Sequence, residues 1–102
     1  MGWQVIIARS ARADLAKIVR YIAQHNTDAA ARLGFELITR AESLGEFPEI
    51  GRVVPEFQKP NVREIICRSY RIIYRLQPEN KGIEIVRFWH GARGFPHIPG
   101  KL

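Results

Sequence analysis

"VREIICRSYRIIYRL" (residues 62–76) decides the fold. Two β-branched and aromatic runs, 62–68 and 70–76, stand almost end to end, so the spacing predicts a tight antiparallel hairpin near Arg68 and Ser69. In the second run, period-two alternation places Tyr70, Ile72, Tyr74 and Leu76 on one face and Arg71, Ile73 and Arg75 on the other. The first face is continuous enough to need cover. The second mixes arginine with isoleucine and reads as a surface meant for a partner.

Downstream, "PENKG" (78–82) is a turn and "IEIVRFWH" (83–90) a third strand. The remainder, "GARGFPHIPGKL", is rich in Gly and Pro and has no periodicity. Upstream, "VVPEFQKPN" (53–61) has two prolines and reads as an irregular crossing, and "FPEIGR" (47–52) is a breaker. Before it lie two helices. Ser10 is placed to cap the first, in which Ala11, Leu15, Ile18, Val19 and Ile22 recur at helical spacing, with Asn26 as a left-handed stop. Thr27 is placed to cap the second, whose stripe is Ala30, Leu33, Leu37, Ala41 and Leu44. So short a connection predicts an antiparallel helical hairpin. "GWQVIIAR" (2–9) reads as an opening strand.

The expected fold is therefore α+β: an N-terminal strand, an antiparallel two-helix hairpin, then a three-stranded antiparallel meander, forming one sheet. The hairpin buries its stripes on one sheet face, which leaves the other face, with its arginines, open. Residues 1–93 form a single domain and 94–102 an irregular C-terminal tail.

Composition narrows the function classes. The 102 residues hold room for one core. No apolar run approaches the ~20 residues that a membrane-crossing helix needs, and no signal peptide is evident. Cys67, alone and set in a strand, reads as a buried, inert thiol suited to a reducing cytoplasm. The net charge of +6 is lopsided. Residues 1–51 hold six basic and six acidic side chains, whereas 52–102 hold ten basic and four acidic. The second half should attract an acidic partner.

His25, His90 and His97 are far apart, no Cys/His cluster has ligand spacing, and P-loop and dinucleotide fingerprints are missing, so neither metal nor cofactor is expected. Cleavage of RNA is the serious enzymatic candidate. Arg63, Arg71, Arg75, Arg87 and Arg93 could hold a phosphate, and His90 or Glu64 could move one proton, a role worth about 10²–10⁴ in rate. No second proton-transfer group stands out: Tyr70 and Tyr74 face inward and the tail lacks tyrosine. His90, between Trp89 and Gly91, reads better as a turn-bonding imidazole at a strand end, and Trp89 as packing. Phe35 and Ile38 lie beside the second helical stripe, either closing the hairpin edge or lining a groove for a partner helix; the first is favoured.

"SARADLAKIVRYIAQHNTDAAARL", "LGEFPEIGR", "VREIICRSYRIIYRL" and "IEIVRFWHGAR", in that order, closely resemble the ParE/RelE superfamily of bacterial toxins, the poison halves of type II toxin–antitoxin modules. The resemblance runs from about residue 4 to residue 93 and implies the fold derived above. It also implies a cognate antitoxin, ParD-like or related, bound as a hetero-oligomer in the cytoplasm. "EFPEIGR" and the "HGAR" strand end look like the ParE branch, whose members block DNA gyrase without a catalytic set. The alternative is a RelE-like cutter of mRNA on the ribosome, which would use His90, Arg71, Glu64 and Arg63. Gly91 stands where such nucleases often carry a tyrosine, so His90, Gly91, Ala92 and Arg93 look like a strand-end, partner-contact element. With Arg63, Arg71, Arg75, Arg87, Trp89, Phe35 and Ile38 they make up the expected partner surface.

Overall fold

A computed structural model describes residues 2–100. The hairpin forms where expected: strands β3 (Val62–Cys67) and β4 (Tyr70–Gln77) pair antiparallel from Val62 opposite Arg75 to Cys67 opposite Tyr70. A two-residue turn requires a left-handed residue, and Arg68 takes that part at φ 57°. For a non-glycine residue this costs on the order of 1–2 kcal/mol. The Arg68 Nε bond to Glu36 Oε1, at 2.9 Å, helps hold it there.

The other elements are β1 (Gln4–Ile7), α1 (Arg9–Ala23), α2 (Thr27–Ser43), β2 (Arg52–Val53) and β5 (Gly82–His90). The sheet has five strands in the order β1-β5-β4-β3-β2, with β1 parallel to β5 and the remaining pairs antiparallel. Two details depart from the sequence reading. The crossing segment begins with a two-residue strand, β2, and the N-terminal strand closes the sheet beside the last one. Pairing of β1 stops at Ile7 opposite Ile85, which leaves the outer edge of β5 open beyond that point. Helix α1 covers it: Ser10 Oγ donates to Val86 O at 2.7 Å, and Asp14 Oδ2 accepts from Phe88 N at 3.1 Å.

This geometry corrects the expected caps. Ser10 lies inside α1, whose N-cap is Ala8 without a side-chain bond; the serine hydroxyl serves the sheet edge instead. Asn26 is extended, at φ −160°, and is the cap of α2, its Oδ1 accepting from Ala29 N at 3.0 Å. Thr27 is the first helical residue. Asparagine is a good cap and here outcompetes its neighbour. The two helices approach closely at Gly34, where a Cβ would stand 3.2 Å from Val19 Cγ2.

The hairpin face of the sheet behaves as predicted. Ile72, Tyr74 and Leu76 pack beneath Ala11, Leu37, Ala41 and Leu44, together with Ile83, Ile85 and Phe88. On β5 the alternation breaks. Ile73 pairs with Arg87 and Tyr74 with Ile85, so Val86 is a β-bulge. The bulge resets the phase, sending Phe88 to the helical face and Val86 and Trp89 to the other.

That other face is not open, contrary to the sequence reading. Val62, Ile73, Val86 and Trp89 form a second core there, roofed by Val54 and Phe57 of the crossing segment and by Ile98 of the C-terminal segment. A proline-rich stretch without periodicity shows no stripe, so its covering role was invisible in sequence.

Candidate functional site

Arg71, Arg75 and Arg87 project from β4 and β5 toward the second face, Arg63 of β3 lies on the Tyr74 side of the sheet, and each is held. Arg71 donates through Nε to Glu64 Oε1 at 2.6 Å, and through both Nη atoms to the Glu56 carboxylate at 2.9 and 2.7 Å. Glu64, fully buried, also takes the Arg52 guanidinium at 2.6 Å. Arg71 thus closes a four-residue network that ties β2, β3 and β4 to the crossing segment. Its hydrogen bond keeps the Glu56 carboxyl below the usual range, and the same bond raises the guanidinium's own pKa. Arg75 pairs with Glu84 at 3.1 Å. Arg87 grips Asp14 of α1 with two bonds of 2.7 and 2.6 Å and donates a third to His97 O at 2.7 Å. Arg63 donates to the backbone carbonyls of Glu49, Gly51 and Pro60.

The strand end is built differently. Trp89 is buried, its indole N–H donating to the carbonyls of Gly94 at 3.0 Å and Arg93 at 3.3 Å. The Arg93 guanidinium lies 3.7 Å from the ring centroid and that of Arg87 4.6 Å, a cation–π arrangement. His90 is exposed. Its Nδ1 accepts from Ala92 N at 3.0 Å, and its ring meets Tyr70 edge-on at 5.2 Å. Gly91 N donates to Ser69 O at 2.8 Å, so the 90–93 turn is laced to the β3–β4 turn.

Of the candidate residues, the fold brings Arg71 and Glu64 together, and Trp89 with Arg87 and Arg93. His90 lines a cleft of about 420 Å³ together with Arg32, Glu36, Arg68, Ser69 and Tyr70. Ile38 packs against the helical core, whereas Phe35 is 75 % exposed.

Sequence reading missed the acids. Asp14, Glu56 and Glu84 turn the arginines from an open cationic field into a set of ion pairs. Asp14 did leave a signal: it falls within the apolar stripe of α1, between Ala11 and Leu15, where an acid must find a buried partner. Glu56 and Glu84 left none. Burial raises the thiol pKa of Cys67, with the nearby Glu36 carboxylate acting the same way.

A five-stranded sheet with a two-helix hairpin on one face and ion-paired arginines on the other defines a small basic α+β domain. The profile of the family described as "ParE toxin of type II toxin-antitoxin system, parDE" matches residues 5–95. The chain belongs to this family of toxins. It is 37 % identical over 90 residues to Toxin RelE2 of Caulobacter vibrioides, covering 88 % of this chain and 97 % of that one. To Toxin RelE1 of the same organism it is 33 % identical over 95 residues, covering 89 % and 96 %. The fold superimposes on a chain of the chromosomal ParDE system from P. aeruginosa with a TM-score of 0.71 at 21 % identity, covering 86 % of this chain and 95 % of that one. On a chain of the RelBE2 toxin–antitoxin complex from Mycobacterium tuberculosis the TM-score is 0.68 at 21 % identity, covering 91 % and 95 %. Among the described residues no helix is long and apolar enough to cross a membrane.

Proposed function

We propose that this toxin acts by binding rather than by bond cleavage, that its target is DNA gyrase, and that a cognate ParD-like antitoxin neutralises it in a hetero-oligomeric complex. One observation carries the first part. Most of the side chains that the ribonuclease reading would use are already engaged within the fold. Glu64 is buried under two guanidinium groups, Arg71 spends three N–H donors on Glu64 and Glu56, and His90 gives Nδ1 to its own turn. A base that must first break two charge-assisted hydrogen bonds is a poor proton acceptor. The family match to ParE toxins supports gyrase as the target, and the likeness in fold to chains of the ParDE and RelBE2 toxin–antitoxin systems supports an antitoxin partner.

The second reading, a ribosome-dependent mRNA endonuclease, is favoured by the RelE names of both curated relatives and by the exposed His90 beside Tyr70. The test runs purified toxin in a gyrase supercoiling assay, beside primer extension on translated mRNA. Inhibited supercoiling with intact messages is expected, with His90→Ala still toxic in cells. Codon-positioned cuts that vanish in His90→Ala, with gyrase untouched, would replace the first reading by the second.

A further inference from the structure

The turn that follows α2 displays apolar side chains which the fold does not need outside. Phe47 is 66 % and Ile50 67 % exposed, and with Trp3 and Pro48 they line a shallow hollow of about 480 Å³. The backbone beneath them is tied down. Tyr74 Oη donates to Pro48 O at 2.9 Å and accepts from Gly51 N at 3.0 Å, Arg63 Nη1 donates to Glu49 O, and Trp3 N to Gly45 O. Gly51 is required, because a Cβ there would meet Glu64 O and Tyr74 Oη at 2.6 Å. Such a turn is pre-organised: its main chain is fixed while its largest apolar groups face water, an arrangement typical of interaction patches.

The rim has the opposite sign to the molecule. Glu46 and Glu49 line the hollow, and between Ala41 and Gly51 there are three acids and no base, in a chain whose net charge is +6. A basic partner would be repelled by the chain as a whole and attracted here. We propose that the 46–50 turn is a docking site for a partner segment carrying one apolar anchor side chain flanked by Lys or Arg. The anchor fills the hollow between Phe47, Ile50 and Trp3, and the flanking cations meet Glu46 and Glu49. This surface is distinct from the arginine network and does not depend on what the toxin inhibits.

The molecule carries its own reporter. Trp3 lines the hollow, while the chain's other tryptophan, Trp89, is buried in the second core. Random linear peptides displayed on phage are selected on the full chain and counter-selected on Phe47→Ser/Ile50→Ser, a pair of exposed positions whose variant is checked for native circular dichroism. Enrichment of an apolar residue between basic ones is expected. Synthetic copies of the winners should shift Trp3 emission and bind the double variant about tenfold or more weakly. Glu46→Gln/Glu49→Gln should weaken them severalfold and flatten the salt dependence. Acidic or neutral winners, equal binding to the serine variant, an unmoved Trp3 signal, or sedimentation showing a second copy of the chain on this patch would each overturn the proposal.

Discussion

Replacing Asp14 by alanine should be among the most damaging single changes in α1. Its carboxylate, buried between helix and sheet, accepts two bonds from Arg87 and one from Phe88 N. Breaking a buried pair from one side typically costs about 3–5 kcal/mol. Here the lower end applies, because Arg87 keeps its bond to His97 O and its place over Trp89. The stranded amide of Phe88 adds about 1–3 kcal/mol. A loss near 4 kcal/mol, set against a total of about 5–15 kcal/mol for a domain, leaves a marginal fold. With a urea dependence of about 2 kcal/mol per molar, the unfolding midpoint should fall by roughly 2 M. Asp14→Asn keeps an acceptor for Phe88 N and should lose about half as much. The decisive comparison is Asp14→Ala/Arg87→Met, which removes the stranded cation and should be no less stable than Asp14→Ala alone. If Asp14→Ala lies within 1 kcal/mol of the parent by urea titration, or if the two substitutions simply add, the pair is not the clamp described here.

Two further substitutions probe the Arg71 network and the turn held by Tyr74. Glu56 has a carboxyl pKa held below its ordinary 4.5 by the Arg71 hydrogen bond, so its contribution to stability is complete above that value and disappears as pH falls through the lowered folded-state value. The urea midpoint of the parent should therefore exceed that of Glu56→Gln at neutral pH, and the gap should narrow as the pH is taken below 4.5; a gap that widens in acid would contradict the assignment. Tyr74→Phe removes a hydroxyl that bonds both Pro48 O and Gly51 N, leaving a buried N–H unsatisfied at a cost of about 1–3 kcal/mol, and should speed tryptic cleavage after Arg52. Unchanged cleavage would mean that the turn is held by its other bonds.

The chain's own letters determined the elements, because the signals for them are local. Alternation in 70–76 chose the faces of β4, helical spacing chose the stripes of α1 and α2, and the two-residue gap forced a left-handed residue at Arg68. The resemblance of the ordered motifs likewise carried the family. Choices between rival local partners were less legible. Asn26 and Thr27 are both competent caps, and only the path of the chain between the helices selects the asparagine. What tertiary structure alone decided is the electrostatics of the site. Asp14 and Arg87 stand 73 residues apart, and Glu56 reaches Arg71 only because a proline-rich crossing folds back over the sheet. Periodicity reports which side of an element faces inward, but not which distant carboxylate arrives there. Charge pairing depends on separations of a few ångströms, which exist only after the chain has folded.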